Sequence, residues 1–209
     1  MKVDIETHFK PSKIVCVGRN YAEHAAELGN AVPTEPLLFL KAPSAIICHG
    51  SDIVIPPQST QVEHEGELAV IIGRKCKNLS EADNPFEYVR GYACLNDVTA
   101  RDVQKRDVQF TRGKSFDTFC PIGPHIETEM DVSDIRLITR VNGVIKQDGR
   151  TSQMVFPVDF LIRYISNMMT LYDGDVIATG TPSGVSKMES GDVCEVEIEG
   201  IGVLRNTVV

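Results

Sequence analysis

Three alternating glutamates run straight into an apolar stretch at Val62-Glu63-His64-Glu65-Gly66-Glu67-Leu68-Ala69-Val70-Ile71-Ile72-Gly73. Residues two apart on a β-strand share a face, so Glu63, Glu65 and Glu67 are expected together, with His64 and Gly66 opposite. Leu68 to Ile72 is apolar on both faces, the pattern of a strand buried on both sides. A row of negative charge therefore enters a sheet interior, where it repels itself and loses hydration. Such groups must protonate or find a cation. A solvated strand end and a metal site are both open on this stretch alone.

The chain has 209 residues, room for one large domain or two small ones. Its net charge of -8, with no Lys/Arg cluster to offset it, argues against a nucleic-acid or anionic-membrane partner. An anionic substrate stays open, because a bound divalent cation reverses the local field. No apolar run approaches the roughly 20 residues that span a bilayer. Met1 to Lys10 lacks the apolar core of a signal peptide. The six cysteines are scattered without a C-x-x-C pair, which suits a reducing cytoplasm better than disulfides or zinc.

Lys13 to Val17 reads as a short strand closed by Gly18-Arg19-Asn20. Asn20 and Glu23 have capping-box spacing, which starts a helix over Tyr21 to Leu28. His24 and Glu27 share a face of it. A carboxylate beside an imidazole is the arrangement of a water-activating base, and equally of a surface pair. A helix this short is marginal alone and suits a lid. Pro56-Pro57 is the expected boundary between a small N-terminal lobe, 1–57, and a main domain, 58–209. Gly91 to Asn96 reads as a strand, with Asp97 at its carboxyl end as either a functional group or a helix N-cap. Val98 to Val108 has helical composition, with Arg101, Gln104 and Val108 along one side. Residues 110–124 read as an aperiodic functional loop holding Lys114. Asn142-Gly143 marks a type I′ hairpin. Pro157 starts a helix over 157–169, with an apolar stripe of Phe160, Leu161, Tyr164, Ile165 and Met168. Thr179-Gly180-Thr181-Pro182-Ser183-Gly184 offers hydroxyls and N–H groups suited to a carboxylate, or is a plain turn.

Five motifs occur in order: Gly18-Arg19-Asn20-Tyr21-Ala22-Glu23-His24, Glu65-Gly66-Glu67-Leu68-Ala69-Val70, Asn96-Asp97-Val98-Thr99-Ala100-Arg101-Asp102, Gly113-Lys114-Ser115-Phe116-Asp117 and the 179–184 loop. With them the chain resembles the fumarylacetoacetate hydrolase family from about Lys13 onward, and its compact branch in length. The resemblance implies an α+β fold, a mixed β-roll or pseudo-barrel with a few short helices. It implies a cytoplasmic homodimer acting on a small 2-oxo acid. It also implies a divalent metal, Mg²⁺ or Mn²⁺ (or Ca²⁺ in its place in a crystal), on Glu65, Glu67 and Asp97. Three carboxylates with open positions suit a hard cation. Glu63 matches no ligand of the family. By the same resemblance His24 and Glu27 form a water-activating dyad and Lys114 contacts the substrate oxygen. Thr181 and Gly180 help hold the substrate carboxylate, and Arg19 and Gln104 add polar contacts. One departure is Ser186 after Val185, where the family often has Gly-Pro.

The expected reaction is cleavage of the C3–C4 bond of an acylpyruvate through an enolate, with oxaloacetate decarboxylation as a related activity. The alternative is an isomerase or tautomerase of the same substrates, either a diene-dioate isomerase or an oxaloacetate keto–enol tautomerase. A dehydratase of a sugar-derived 2-oxo acid and a non-catalytic metal-binding β protein are further readings.

Overall fold

The structure is a computed structural model that describes residues 2–5 and 10–209. Its centre is a mixed sheet in the order Lys2–Asp4, Cys120–Glu127, Val89–Asn96, Gly66–Ile72, Val176–Ala178, Ile14–Gly18, Leu37–Lys41, with Ile46–Cys48 also paired to Cys120–Glu127. Leu68, Ala69, Val70, Ile71 and Ile72 are fully buried, as expected for a strand covered on both faces. Leu68, Val70 and Ile72 face one core, and Ala69 and Ile71 face another. Strands from both sides of Pro56-Pro57 share this sheet, since Ile14–Gly18 lies between Leu37–Lys41 and Val176–Ala178.

A second sheet runs Val144–Arg150, Arg136–Val141, Val193–Ile198, Gly202–Val208, Asp52–Ile53. It packs its Leu137, Val196, Ile198 and Leu204 against the first core. Its hairpin turns at Asn142 and Gly143 with φ of 52° and 77°, the left-handed pair that a type I′ turn requires. The curled sheets and few helices give the expected α+β roll.

Among the described residues four α-helices decorate it: α1 (Ala22–Glu27), α2 (Arg101–Arg106), α3 (Thr111–Lys114) and α4 (Val158–Met168). Three helical expectations change. The Val98–Val108 stretch pairs as a strand at Thr99–Ala100 and is helical only over Arg101–Arg106, so Asp97 is not its N-cap. Asn20 does not cap α1, which starts after Tyr21 without a side-chain cap. Its amide instead binds the main chain of Phe156 and Thr179. The buried face of α4 is Val158, Leu161, Ile162 and Ile165, whereas Phe160 and Met168 are exposed. The 110–124 segment is also not a plain loop, because α3 and the start of the Cys120–Glu127 strand occupy most of it. Among the described residues no helix is long and apolar enough to cross a membrane.

Candidate active site

The Val62–Ile72 run is not one strand. Val62–Glu63 pairs with Thr99–Ala100, and the ladder resumes at Gly66. The break at His64–Glu65 is what separates Glu63 from the other two glutamates. Beyond it, Gly66–Ile72 pairs antiparallel with Val89–Asn96, with Gly66 opposite Asn96 and Glu67 opposite Leu95. One residue further along this register Glu65 meets Asp97, and the Asp97 N–H donates to the Glu65 carbonyl at 2.8 Å. The three carboxylates are buried, and Glu65, Glu67 and Asp97 each offer an oxygen within 4.8 Å of the others.

Three buried cations surround them. Lys114, at the end of α3, places Nζ 2.7 Å from Glu65 Oε2 and 2.6 Å from Asp97 Oδ2. Lys41, at the end of an apolar strand, donates to Asp97 Oδ1 at 2.6 Å and to the Val98 carbonyl at 3.1 Å. Arg101 donates through Nε to Glu63 Oε2 at 2.7 Å and through Nη2 to Glu65 Oε1. Glu63 is thus buried beside the site and paired, not solvated. Its other oxygen accepts from Gln61 Nε2 at 2.6 Å.

Burial alone would raise the Glu65 pKa, but Lys114 and Arg101 outweigh it and hold the carboxyl well below its usual range. Glu67 goes the other way: burial, then repulsion by Asp97 and Glu65, pushes its carboxyl well above the usual range. Its hydrogen-bond donor is the Gly180 N–H, 2.7 Å from Oε2. Burial lowers the Lys114 pKa, and Asp97 and Glu65 more than restore it, so the ammonium is retained. Four buried carboxylates face three buried cations, and Glu67 is the one without a cationic side chain of its own. An all-oxygen, anionic donor set short of positive charge fits a hard divalent cation.

Above the carboxylates lies a cavity of about 170 Å³, well below the ~300–1,000 Å³ of sites for drug-sized ligands. Arg19, His24, Gln104, Lys114 and Thr181 line it together with Glu65, Glu67 and Asp97. His24 Nδ1 is 3.2 Å from Glu27 Oε2, and Nε2 has no hydrogen-bond partner among the described residues. Glu27 also accepts from the Gly184 N–H, at 3.0 and 3.2 Å to its two oxygens. Through Glu27, α1 is therefore docked on the 179–184 loop. Arg19 adopts a left-handed φ of 58°, a conformation uncommon outside glycine and concentrated at functional sites. Gln104 accepts from Arg101 Nη1 at 2.6 Å. The Gly180 N–H, expected as a substrate contact, donates to Glu67 in this structure. Lys41 is a residue that sequence reasoning missed. Its signal was a lone lysine closing the apolar run Leu37 to Leu40.

Fold and carboxylate cluster together define an enzyme of the fumarylacetoacetate hydrolase family. The chain belongs to that family: residues 13–209 match the model described as fumarylacetoacetate (FAA) hydrolase C-terminal. It is 44% identical over 214 residues to oxaloacetate tautomerase YisK of Bacillus subtilis, covering 95% of this chain and 70% of that protein. A solved 5-carboxymethyl-2-hydroxymuconate delta-isomerase from Mycobacterium smegmatis superposes with a TM-score of 0.89 at 48% identity, over 96% of this chain and 79% of that one. A fumarylacetoacetate hydrolase from Exiguobacterium antarcticum superposes at 0.88 with 46% identity, over 95% and 76%.

Proposed function

We propose that the protein is a metal-dependent isomerase of small 2-oxo acids, interconverting the keto and enol forms of oxaloacetate or a close relative. The observation that carries this is the similarity over 95% of the chain to a protein named as an oxaloacetate tautomerase. His24 and Lys114 line the cavity and Glu27 is hydrogen-bonded to His24, which supports this reading. Acylpyruvate hydrolysis, the first expectation from the sequence, moves to second place because similar proteins are named as tautomerases and isomerases. The similarity to a hydrolase from Exiguobacterium antarcticum keeps it as the second reading.

Members of this family typically bind a divalent metal. Glu65, Glu67 and Asp97 would hold it here. When bound, it supplies Lewis-acid stabilisation of negative charge on the substrate oxygens. The chain's own groups do the rest. Lys114 donates to the C2 oxygen and stabilises the charge that collects there. His24 Nε2 removes a proton from C3, and the C–H pair becomes the C2–C3 double bond. The C2 oxygen takes a proton from the Lys114 ammonium to give the enol, and the proton held at His24 Nε2 passes through solvent to restore Lys114. In the reverse direction His24 returns the proton to C3. Glu27 fixes the ring so that Nε2 is the reactive nitrogen, and Arg19 offers positive charge to a carboxylate of the substrate. No bond to C4 has to break.

A substrate panel with Mg²⁺ tests this reading: oxaloacetate for keto–enol exchange and for decarboxylation, acetylpyruvate, fumarylpyruvate, and a diene-dioate. The highest kcat/KM is expected for keto–enol exchange of oxaloacetate. Faster cleavage of an acylpyruvate would reverse the order of the two readings.

A further inference from the structure

We infer that Gln147 is a positioning residue of this site, which ties the carboxylate strand to the 179–184 loop and leaves the Thr181 main-chain N–H, not its hydroxyl, as the donor offered to an anionic ligand. Gln147 comes from the second sheet, is fully buried, and does not line the cavity. Its carboxamide makes four hydrogen bonds. Oε1 accepts from the Gly66 N–H at 2.9 Å and from His64 Nδ1 at 3.1 Å. Nε2 donates to Thr181 Oγ1 at 2.7 Å and to the Pro182 carbonyl at 2.8 Å.

The amide orientation is forced, because a main-chain N–H only donates and a carbonyl only accepts. The same logic sets His64 as the Nδ1–H tautomer, with Nε2 accepting from Ser186 Oγ at 2.9 Å. It also sets the Thr181 hydroxyl. That oxygen accepts from Gln147, so its single proton goes to the Gly66 carbonyl, 2.8 Å away. Gly66 N–H, Gln147, Thr181 and Gly66 C=O thus close a ring around one residue of the strand between Glu65 and Glu67. What the hydroxyl has left is a lone pair, which repels a carboxylate. The Thr181 N–H has no protein partner among the described residues. It is the remaining donor of a residue that lines the cavity.

This inference rests on the 2-oxo acid reading, and the experiment separates the two. The probe is oxalate, a dianion with the shape of the C1–C2 end of an enolate, titrated into the Mg²⁺-loaded protein. Wild type is followed by calorimetry and by the Thr181 amide resonance. Q147E keeps the size and the acceptors but turns lone pairs on Thr181 and Pro182; Q147M removes all four bonds. The expected results are an oxalate Kd and a KM raised about tenfold or more, the loss of one hydrogen bond to a charged group. The Mn²⁺ Kd and kcat change far less. In wild type the Thr181 amide proton moves downfield on binding oxalate. Variants that bind oxalate as wild type does, with only a lower melting temperature, would overturn the inference. If neither variant folds, the wild-type resonance decides, and an unmoved Thr181 amide overturns it. Wild-type protein that does not bind oxalate at all overturns the 2-oxo acid reading itself.

Discussion

Lys41 Nζ lies 2.6 Å from Asp97 Oδ1, and both side chains are shut off from solvent. The pair joins the end of one strand to the end of another, 56 residues apart. Breaking a buried ion pair by deleting one partner leaves an uncompensated charge. Lys41→Met is therefore expected to cost about 3–5 kcal/mol of stability. The double variant Lys41→Met/Asp97→Asn should recover a large part of that loss while remaining inactive. Urea unfolding of the single and double variants checks both, and equal stability of the two would contradict the assignment.

His24 is held by Glu27 through Nδ1 and lines the cavity. His24→Ala is expected to lower kcat by about 10²-fold or more, the scale of a lost general acid–base group. Mn²⁺ affinity should be retained, because His24 is not among the carboxylates. Glu27→Gln keeps an acceptor for the Gly184 N–H and loses only the charge beside the imidazole, so its kcat should fall less. Steady-state kinetics with a parallel Mn²⁺ titration separates these effects. A His24→Ala enzyme with wild-type kcat removes the dyad from the mechanism.

Gly66 has no room for a side chain: a Cβ there would lie 2.1 Å from Thr139 Oγ1 on the neighbouring sheet. Gly66→Ala should destabilise the fold by about 1–3 kcal/mol, the cost of overpacking a core. Thr139→Ala removes the clashing oxygen, which is buried without a hydrogen-bond partner among the described residues. In the Thr139→Ala background the penalty at Gly66 should shrink clearly. A double-mutant cycle measures the coupling, and strict additivity would rule out this contact as the cause.

Asp175 staples the start of the Ile14–Gly18 strand. It accepts from the Ser12 N–H at 3.0 Å, Ser12 Oγ at 2.6 Å and the Tyr172 N–H at 2.8 Å, and pairs with Lys13. Burial would raise its pKa, but the bonds from Lys13 and Ser12 outweigh it and the carboxyl is depressed. Its stabilisation is complete above the unfolded value of about 3.9 and is lost as pH falls through the folded one. Asp175→Asn should be less stable than wild type at neutral pH, with the gap closing below about pH 4. Urea midpoints across that range test it; a gap that widens in acid has the wrong sign.

The carboxylate triad was legible because it obeys local rules. Glu65 and Glu67 follow strand alternation, and Asp97 ends a strand. The hairpin at Asn142-Gly143 was legible for the same reason. What failed to show was long-range. Glu63 carries the same alternation, and only the break at His64–Glu65 and the approach of Arg101 take it out of the set. Asn20 has the composition of a helix cap, yet main-chain groups of Phe156 and Thr179, far along the chain, claim its amide. The stripe on α4 was misphased because Phe160 and Tyr164 stack on each other at 5.9 Å outside the core, while Val158 and Ile162 turn in. Lys41 and Gln147 looked like ordinary strand residues, and their roles exist only once two strands or two sheets meet.

Metal dependence of the keto–enol exchange tests the central claim most directly. The purified protein is stripped with EDTA, and oxaloacetate enolisation is followed by absorbance as Mg²⁺ or Mn²⁺ is added back. Exchange is expected to fall to the uncatalysed rate without metal and to return on titration, and Glu67→Gln should need far more metal for the same rate. Full activity in EDTA, or a Glu67→Gln variant that titrates like wild type, would contradict it.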